Sequence, residues 1–324
     1  MINYICTNSV KNFFNKTDLF HKQNSLSTLR CEVKPFLKWA GGKKQLLQNI
    51  SLYYPFNTYI NKYIEPFVGG GAVLFDILNQ YNLEYIYISD INAELINVYS
   101  TIRNNLNELL ELLLLYQTEY LPLDIEHRKI YYGNKRLLFN DLKINGTRIN
   151  NIEKAALMIF LNKTCFNGLY RENKSGLFNV PIGAYKRPVI CDEENLRAVS
   201  YKLRNVDIVH ANYTESFDHM DEHTFIYIDP PYRPLNTTSN FTSYTKNSFD
   251  DTEQIKLAKF VDKINDKGAK FLLSNSDPKN ADINDNFFDD LYSKYNIKRV
   301  GASRMINSNS KARGKITELL ISNF

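Results

Sequence analysis

The sequence predicts an α/β fold, a doubly wound and mainly parallel sheet that carries a mostly helical insert. Three observations predict it. Short runs rich in Ile, Val, Tyr and Phe stop abruptly at polar or acidic residues, helical periodicity stands between them, and a long middle section shows helix patterns with no strand signal.

In chain order, residues 1–31 are polar, Asn-rich and without periodicity, and read as an extension with weak or no structure. Tyr63–Pro66 reads as a strand end, "VGGG" as a turn and Ala72–Leu83 as a helix, and "YIYIS" as a strand ending at Asp90. Residues 94–191 read as the insert, with "LLELLLLY" (Leu109–Tyr116) a buried helix, too short to span a bilayer, and Ile152–Lys163 another. Alternation returns with "VDIVHAN", "TFIYI", a helix over Thr252–Lys267, "AKFLLSNS", a helix near Phe287–Tyr295, and the strands "IKRVGAS" and "ITELLIS". The sheet domain is therefore expected in two pieces, 32–93 and 192–324, around an insert at 94–191.

At 324 residues the chain can bury a sizeable core, and its apolar and charged fractions of 44% and 23% exclude wholesale disorder. The net charge of +5 is mild, but it is concentrated. Lys163, Arg171, Lys174, Lys186 and Arg187 face Glu172 alone, and Lys298, Arg299, Arg304, Lys311, Arg313 and Lys315 stand in a stretch with no acid. Such stretches suit a polyanion, although either one alone also suits a solvated face. Cys6, Cys31, Cys165 and Cys191 have no paired spacing, which points to a reducing compartment. With no signal-peptide core and no membrane span, the chain is expected in the cytoplasm.

Two motifs carry chemistry. In "EPFVGGGAVLFDI" a glycine turn joins a strand to a helix, so a ligand can approach the backbone and an anion the helix N-terminus. Asp90 follows Gly71 at about the twenty-residue spacing at which an acid meets ribose hydroxyls. Leu74 stands where a third glycine would complete a dinucleotide fingerprint, which disfavours a nicotinamide cofactor. In "DPPY", at the end of the "TFIYI" run, Pro230 and Pro231 have no N–H and hold the chain extended. The Asp229 carboxylate and the Pro230 carbonyl then make two acceptors without a competing donor, beside the face of Tyr232. That arrangement suits the amino group of a flat base. Its lone pair is delocalised into the ring, so holding both N–H groups lets the nitrogen pyramidalise as it attacks, with the developing charge facing a carboxylate. A base in a duplex reaches such a corner only when flipped out. "HMDEH" (His219–His223) fits a zinc pattern that needs one helix presenting both histidines; here it abuts a strand, so loop histidines and no metal are expected.

These motifs, with "FLKWAGGKKQLL", "SDINAELI", "FNGLYREN", "FNVPIGAYKRP", "NFTSYT" and "LLSNSD" in the same order, resemble the Dam-type DNA adenine-N6 methyltransferases, over roughly Pro35 to Phe324. The resemblance implies a Rossmann-like class I S-adenosylmethionine-dependent sheet with an inserted target-recognition domain, acting on adenine, usually in GATC of duplex DNA. Catalysis would fall to Asp229, Pro230, Pro231 and Tyr232. The methyl donor S-adenosylmethionine would be held by Trp39, Lys43, Glu65, Phe67, Gly69, Gly71, Asp90 and Asp229, with Lys43 at its carboxylate and Asp90 at its ribose. Arg171 and Lys38 would read guanine, Phe166 would wedge into the helix beside the flipped base, and Asn167, Leu169, Asn173, Pro181 and Tyr185 would be neighbouring DNA contacts. A restriction endonuclease acting on the same site is a further partner such a protein can have. Where many relatives carry an arginine before the tyrosine, this chain has Ala184, so one cationic contact is missing. Methylation of RNA or of a protein amide by the same corner, and DNA binding without activity, are the competing readings.

Overall fold

The computed structural model describes residues 32–147, 151–233, 249–303 and 315–324. The extension expected at 1–31, the Asn240–Thr245 motif, and Arg304, Lys311 and Arg313 of the second basic stretch lie outside these residues. The strands are β1 (Lys62–Glu65), β2 (Tyr85–Asp90), β3 (Val206–His210), β4 (Thr224–Ile228), β5 (Lys270–Ser276), β6 (Asn296–Ser303) and β7 (Lys315–Ser322). They form one sheet in the order β3-β2-β1-β4-β5-β7-β6. The first five are parallel, with Tyr63 registered on Ile86 and on Phe225, and β7 runs antiparallel between β5 and β6.

The central strands β1, β2, β4 and β5 are buried along most of their length because both faces are covered, whereas β3 at the edge buries only Val206. Tyr63, Phe225, Tyr227 and Leu272 point into one core. Their neighbours Ile64, Ile226, Ile228, Phe271 and Leu273 point into the other. Each such side chain, fully buried, contributes about 1.5–3 kcal/mol. The helices are α1 (Leu47–Ile50), α2 (Ala72–Gln80), α3 (Ala93–Asn104), α4 (Leu106–Tyr120), α5 (Ile125–Asn145), α6 (Asn151–Thr164), α7 (Glu193–Lys202), α8 (Asp251–Asp266) and α9 (Phe287–Leu291). Helix α3 packs on β2, β3 and α7 as well as on α6, and α6 also receives α4 and α5, so the first core runs without a break from the sheet into the insert.

Three expectations need correction. The helix expected to reach Leu83 ends at Gln80, because Tyr81 turns to extended backbone and packs its ring on Tyr54 and Phe56. The helix near Phe287–Tyr295 stops at Leu291, and Tyr295 instead lies edge-on to Phe271. The leucine-rich helix is amphipathic rather than wholly buried: Leu109, Leu110, Leu113 and Tyr116 face inward, while Leu114 and Leu115 are 53% and 49% exposed. Among the described residues, no helix is long and apolar enough to cross a membrane.

Candidate active site and nucleic-acid interface

Strand order reverses at β1 and β4, and ligands of open α/β sheets bind outside the strand ends at such a point. Three acids stand there: Glu65 ends β1, Asp90 ends β2, and Asp229 follows β4 directly. Asp90 is oriented by the backbone, accepting from Gly69 N–H at 3.0 Å and Asn92 N–H at 2.9 Å. Burial raises its carboxyl, opposed by these donors and by His210, its partner in register on β3. Glu65 is buried and accepts from Tyr63 Oη at 2.7 Å, and desolvation pushes its carboxyl well above the usual range. Trp39 lies against the glycine turn, where a Cβ at Gly69 or Gly70 would come within 2.9 Å of its side chain, and stacks on Tyr170 at 5.4 Å. Phe67 stacks on Tyr213, just beyond β3, at 5.3 Å. Gly71 caps the N-terminus of α2.

At the second motif, Lys43 Nζ donates to Asp229 Oδ1 at 2.7 Å and to the Gly41 carbonyl at 2.8 Å, and stands 4.5 Å from the centre of the Tyr232 ring. The lysine expected at the donor's carboxylate is thus held against Asp229 and Tyr232. Asp229 also accepts from Ser274 Oγ at 3.0 Å. Burial raises its carboxyl, and Lys43 and Ser274 pull it back down. Tyr232 Oη donates to Glu318 Oε2 of β7 at 2.6 Å. The Pro231 carbonyl accepts from Gln254 Nε2 at 3.1 Å, and Gln254 in turn accepts from Asn275 Nδ2. The Pro230 carbonyl accepts no hydrogen bond among the described residues. Arg233 closes the turn, paired with Asp251 and Asp285 and stacked on Phe287. Gln254, Ser274, Asn275 and Glu318 escaped the sequence reading, because nothing local marks a residue of α8, β5 or β7 as a neighbour of Asp229. The nearest signal was "LLSNSD", whose polar end sits one strand over.

His219 and His223 do not share a helix: His219 stacks on Tyr87 and meets Tyr85 Oη, and His223 Nδ1 meets the Tyr59 carbonyl. Among the described residues, no group of three His, Cys, Asp or Glu could hold a metal ion.

The DNA candidates fall into two groups. Lys38 Nζ donates to Tyr185 Oη at 3.1 Å, and nearby Phe166, 52% exposed, donates its N–H to the Pro181 carbonyl. Asn167 stands beside it at φ 57°. In the second group Arg171 is tied to Asn179 Oδ1 at 2.8 Å, and Asn173 Oδ1 accepts from Ser175 and Leu177 N–H, which shapes the following turn. Leu169 packs into the core rather than standing free. Helix α5 supplies clamps the sequence did not reveal: Arg128 to the Lys186 carbonyl, Tyr132 to the Val180 carbonyl, and Asn140 to both backbone groups of Phe178.

The family model for D12 class N6 adenine-specific DNA methyltransferases matches residues 39–306. The chain belongs to that family. It is 49% identical to the type II methyltransferase M.MjaIII of Methanocaldococcus jannaschii, over 90% of this chain and all of that one. It is 36% identical to the type II methyltransferase M1.LlaDCHI of Lactococcus lactis subsp. cremoris, over 93% and 99% of the two chains. It is 35% identical to the DNA adenine methylase of Haemophilus influenzae, over 92% and 96%. The enzyme is an adenine-specific DNA methyltransferase, and its family implies S-adenosylmethionine as methyl donor.

Proposed function

We propose that the enzyme methylates the adenine of GATC in duplex DNA, on a base flipped into the corner between Asp229 and Tyr232. The observation that carries this is Asp229 at the sheet's switch point, directly before Pro230 in the chain and held by Lys43 and Ser274, with Gln254 on the Pro231 carbonyl and the Tyr232 ring beside Lys43. Asp229 and the Pro230 carbonyl accept the two N6 hydrogens, the Tyr232 face supports the ring, and Asp229 offsets the charge that develops on N6. S-adenosylmethionine supplies the electrophilic methyl group. The site fits it: Asp90, partly exposed, is aimed by two N–H groups beside a glycine turn that Trp39 lies against, an arrangement suited to ribose hydroxyls, and we assign Glu65, Phe67, Gly69 and Gly71 to the same pocket. Lys43 opposes the rise that burial imposes on the Asp229 carboxyl. No metal is needed for this transfer.

The recognition domain is residues 94–191, with the catalytic domain at 32–93 and 192–324. Lys38 and Arg171 read guanine, Phe166 enters the stack, and Asn167, Leu169, Asn173, Pro181 and Tyr185 support them. We place the enzyme in the cytoplasm, and the type II names of two relatives support a restriction endonuclease acting on the same site. Incubation with unmethylated plasmid and S-adenosylmethionine, followed by mapping of N6-methyladenine, is expected to show modification at GATC alone. Modification at another motif would overturn the GATC assignment, and modification of RNA in preference to duplex DNA would overturn the choice of substrate.

A further inference from the structure

We infer that Asn162 is a positioning residue for sequence discrimination, which locks the Lys38 segment and the Phe166–Arg171 segment into one reading unit. The inference rests on the reading of Lys38 and Arg171 as guanine contacts. Asn162 lies on α6 and is 4% exposed. Its Oδ1 accepts from Lys38 N–H at 2.9 Å, and its Nδ2 donates to the Lys38 carbonyl at 2.8 Å and to the Gly168 carbonyl at 2.9 Å. Both amide hydrogens are used, so a single side chain fixes both backbone groups of Lys38 and one end of the recognition turn.

The turn needs such a lock. Asn167, at φ 57°, is the one non-glycine residue with positive φ among those described, and Gly168 follows at φ 65°. A Cβ at Gly168 would lie 2.5 Å from Lys38 Cδ, so the turn and the lysine stem are in direct contact. Beyond Asn162, the turn is held to its surroundings by the isolated bridge between Cys165 and Ile182, made of the Phe166 N–H to Pro181 and Gly183 N–H to Thr164 bonds. Strained backbone persists where its surroundings over-determine it. With the amide lost, Lys38 and the turn would shift relative to each other, and both guanine contacts would loosen together.

Asn162→Asp keeps the acceptor for Lys38 N–H but sets an oxygen against two carbonyl oxygens. Initial methylation rates are compared on the cognate duplex and on duplexes with one base pair replaced at either guanine. Lys38→Ala and Arg171→Ala serve as references, each expected to relax one position. Asn162→Asp is expected to lower discrimination at both positions by about tenfold, a scale typical of residues sharing one hydrogen-bond network. Adding Lys38→Ala to it should cost nothing more at the Lys38 position. If the variant does not fold, as judged by circular dichroism, Gly168→Ala tests the same contact from the other side and should relax the same two positions. Unchanged discrimination in a folded variant, or an equal loss on every duplex, would overturn the inference while leaving the guanine reading intact. If the two reference variants leave the ranking of duplexes unchanged, the guanine reading itself fails and the inference falls with it.

Discussion

The corner at Asp229 and the turn at Phe166 are held in place by different means. Asp229 follows a strand paired on both sides, and the side chains that bind the corner, Gln254, Ser274 and Asn275, are fully buried. The Phe166 turn has only isolated bridges around it, an exposed aromatic at its tip and a residue in the left-handed region. The difference teaches that the sheet itself fixes the proposed catalytic corner, whereas the proposed recognition turn depends on a few amides and guanidinium groups reaching across from α5 and α6. Damage to the first region should therefore remove turnover, and damage to the second should change which sites are modified.

The sharpest break is Asp229→Ala, expected to reduce turnover by about a thousandfold or more, on the scale of removing a preorganised transition-state contact. Duplex affinity by fluorescence anisotropy should change little, because phosphate contacts lie elsewhere. Comparable losses in both would show that the two regions are not separable.

Next comes Lys43→Met, which removes a charged hydrogen bond worth about 1.5–3 kcal/mol. Burial raises the Asp229 carboxyl, so activity should fall on the acid side through a pKa above the ordinary carboxylate range. Lys43 opposes that rise, so its loss should move the acid limb of kcat/KM further up in pH. A limb that stays in place would mean another group titrates.

Arg171→Ala should relax discrimination at one guanine by about 1–3 kcal/mol with kcat on the cognate duplex kept, as read from rates on single-substitution duplexes. The smallest effect is expected from Ala184→Arg at the exposed position before Tyr185. An added phosphate contact should steepen the slope of log affinity against log salt by about one, measured by titration at several salt concentrations. An unchanged slope would place residue 184 away from the backbone of the duplex.

The fold was legible because parallel strands covered on both faces must read as apolar runs, and their carboxyl ends must be polar where a ligand approaches. Asp90 and Asp229 were found in this way, whereas Glu65 was named only through motif likeness. Helix ends were less legible: Tyr81 leaves its helix for an aromatic contact with residues 54 and 56, which no local propensity announces. Lys38 and Tyr185 were named through motif likeness, but their contact was not, since it joins residues 147 apart in sequence. Asn162 was invisible as anything but a polar residue near a helix end, because its role consists entirely of bonds to other segments' backbones.

The placement of β7 bears on how the enzyme is made. It is the last strand in chain order, yet it lies between β5 and β6 and brings Glu318 to the Tyr232 hydroxyl. A nascent chain still short of β7 would have the β5 edge open and its tyrosine untethered. The corner at Tyr232 is therefore complete only once β7 has entered the sheet.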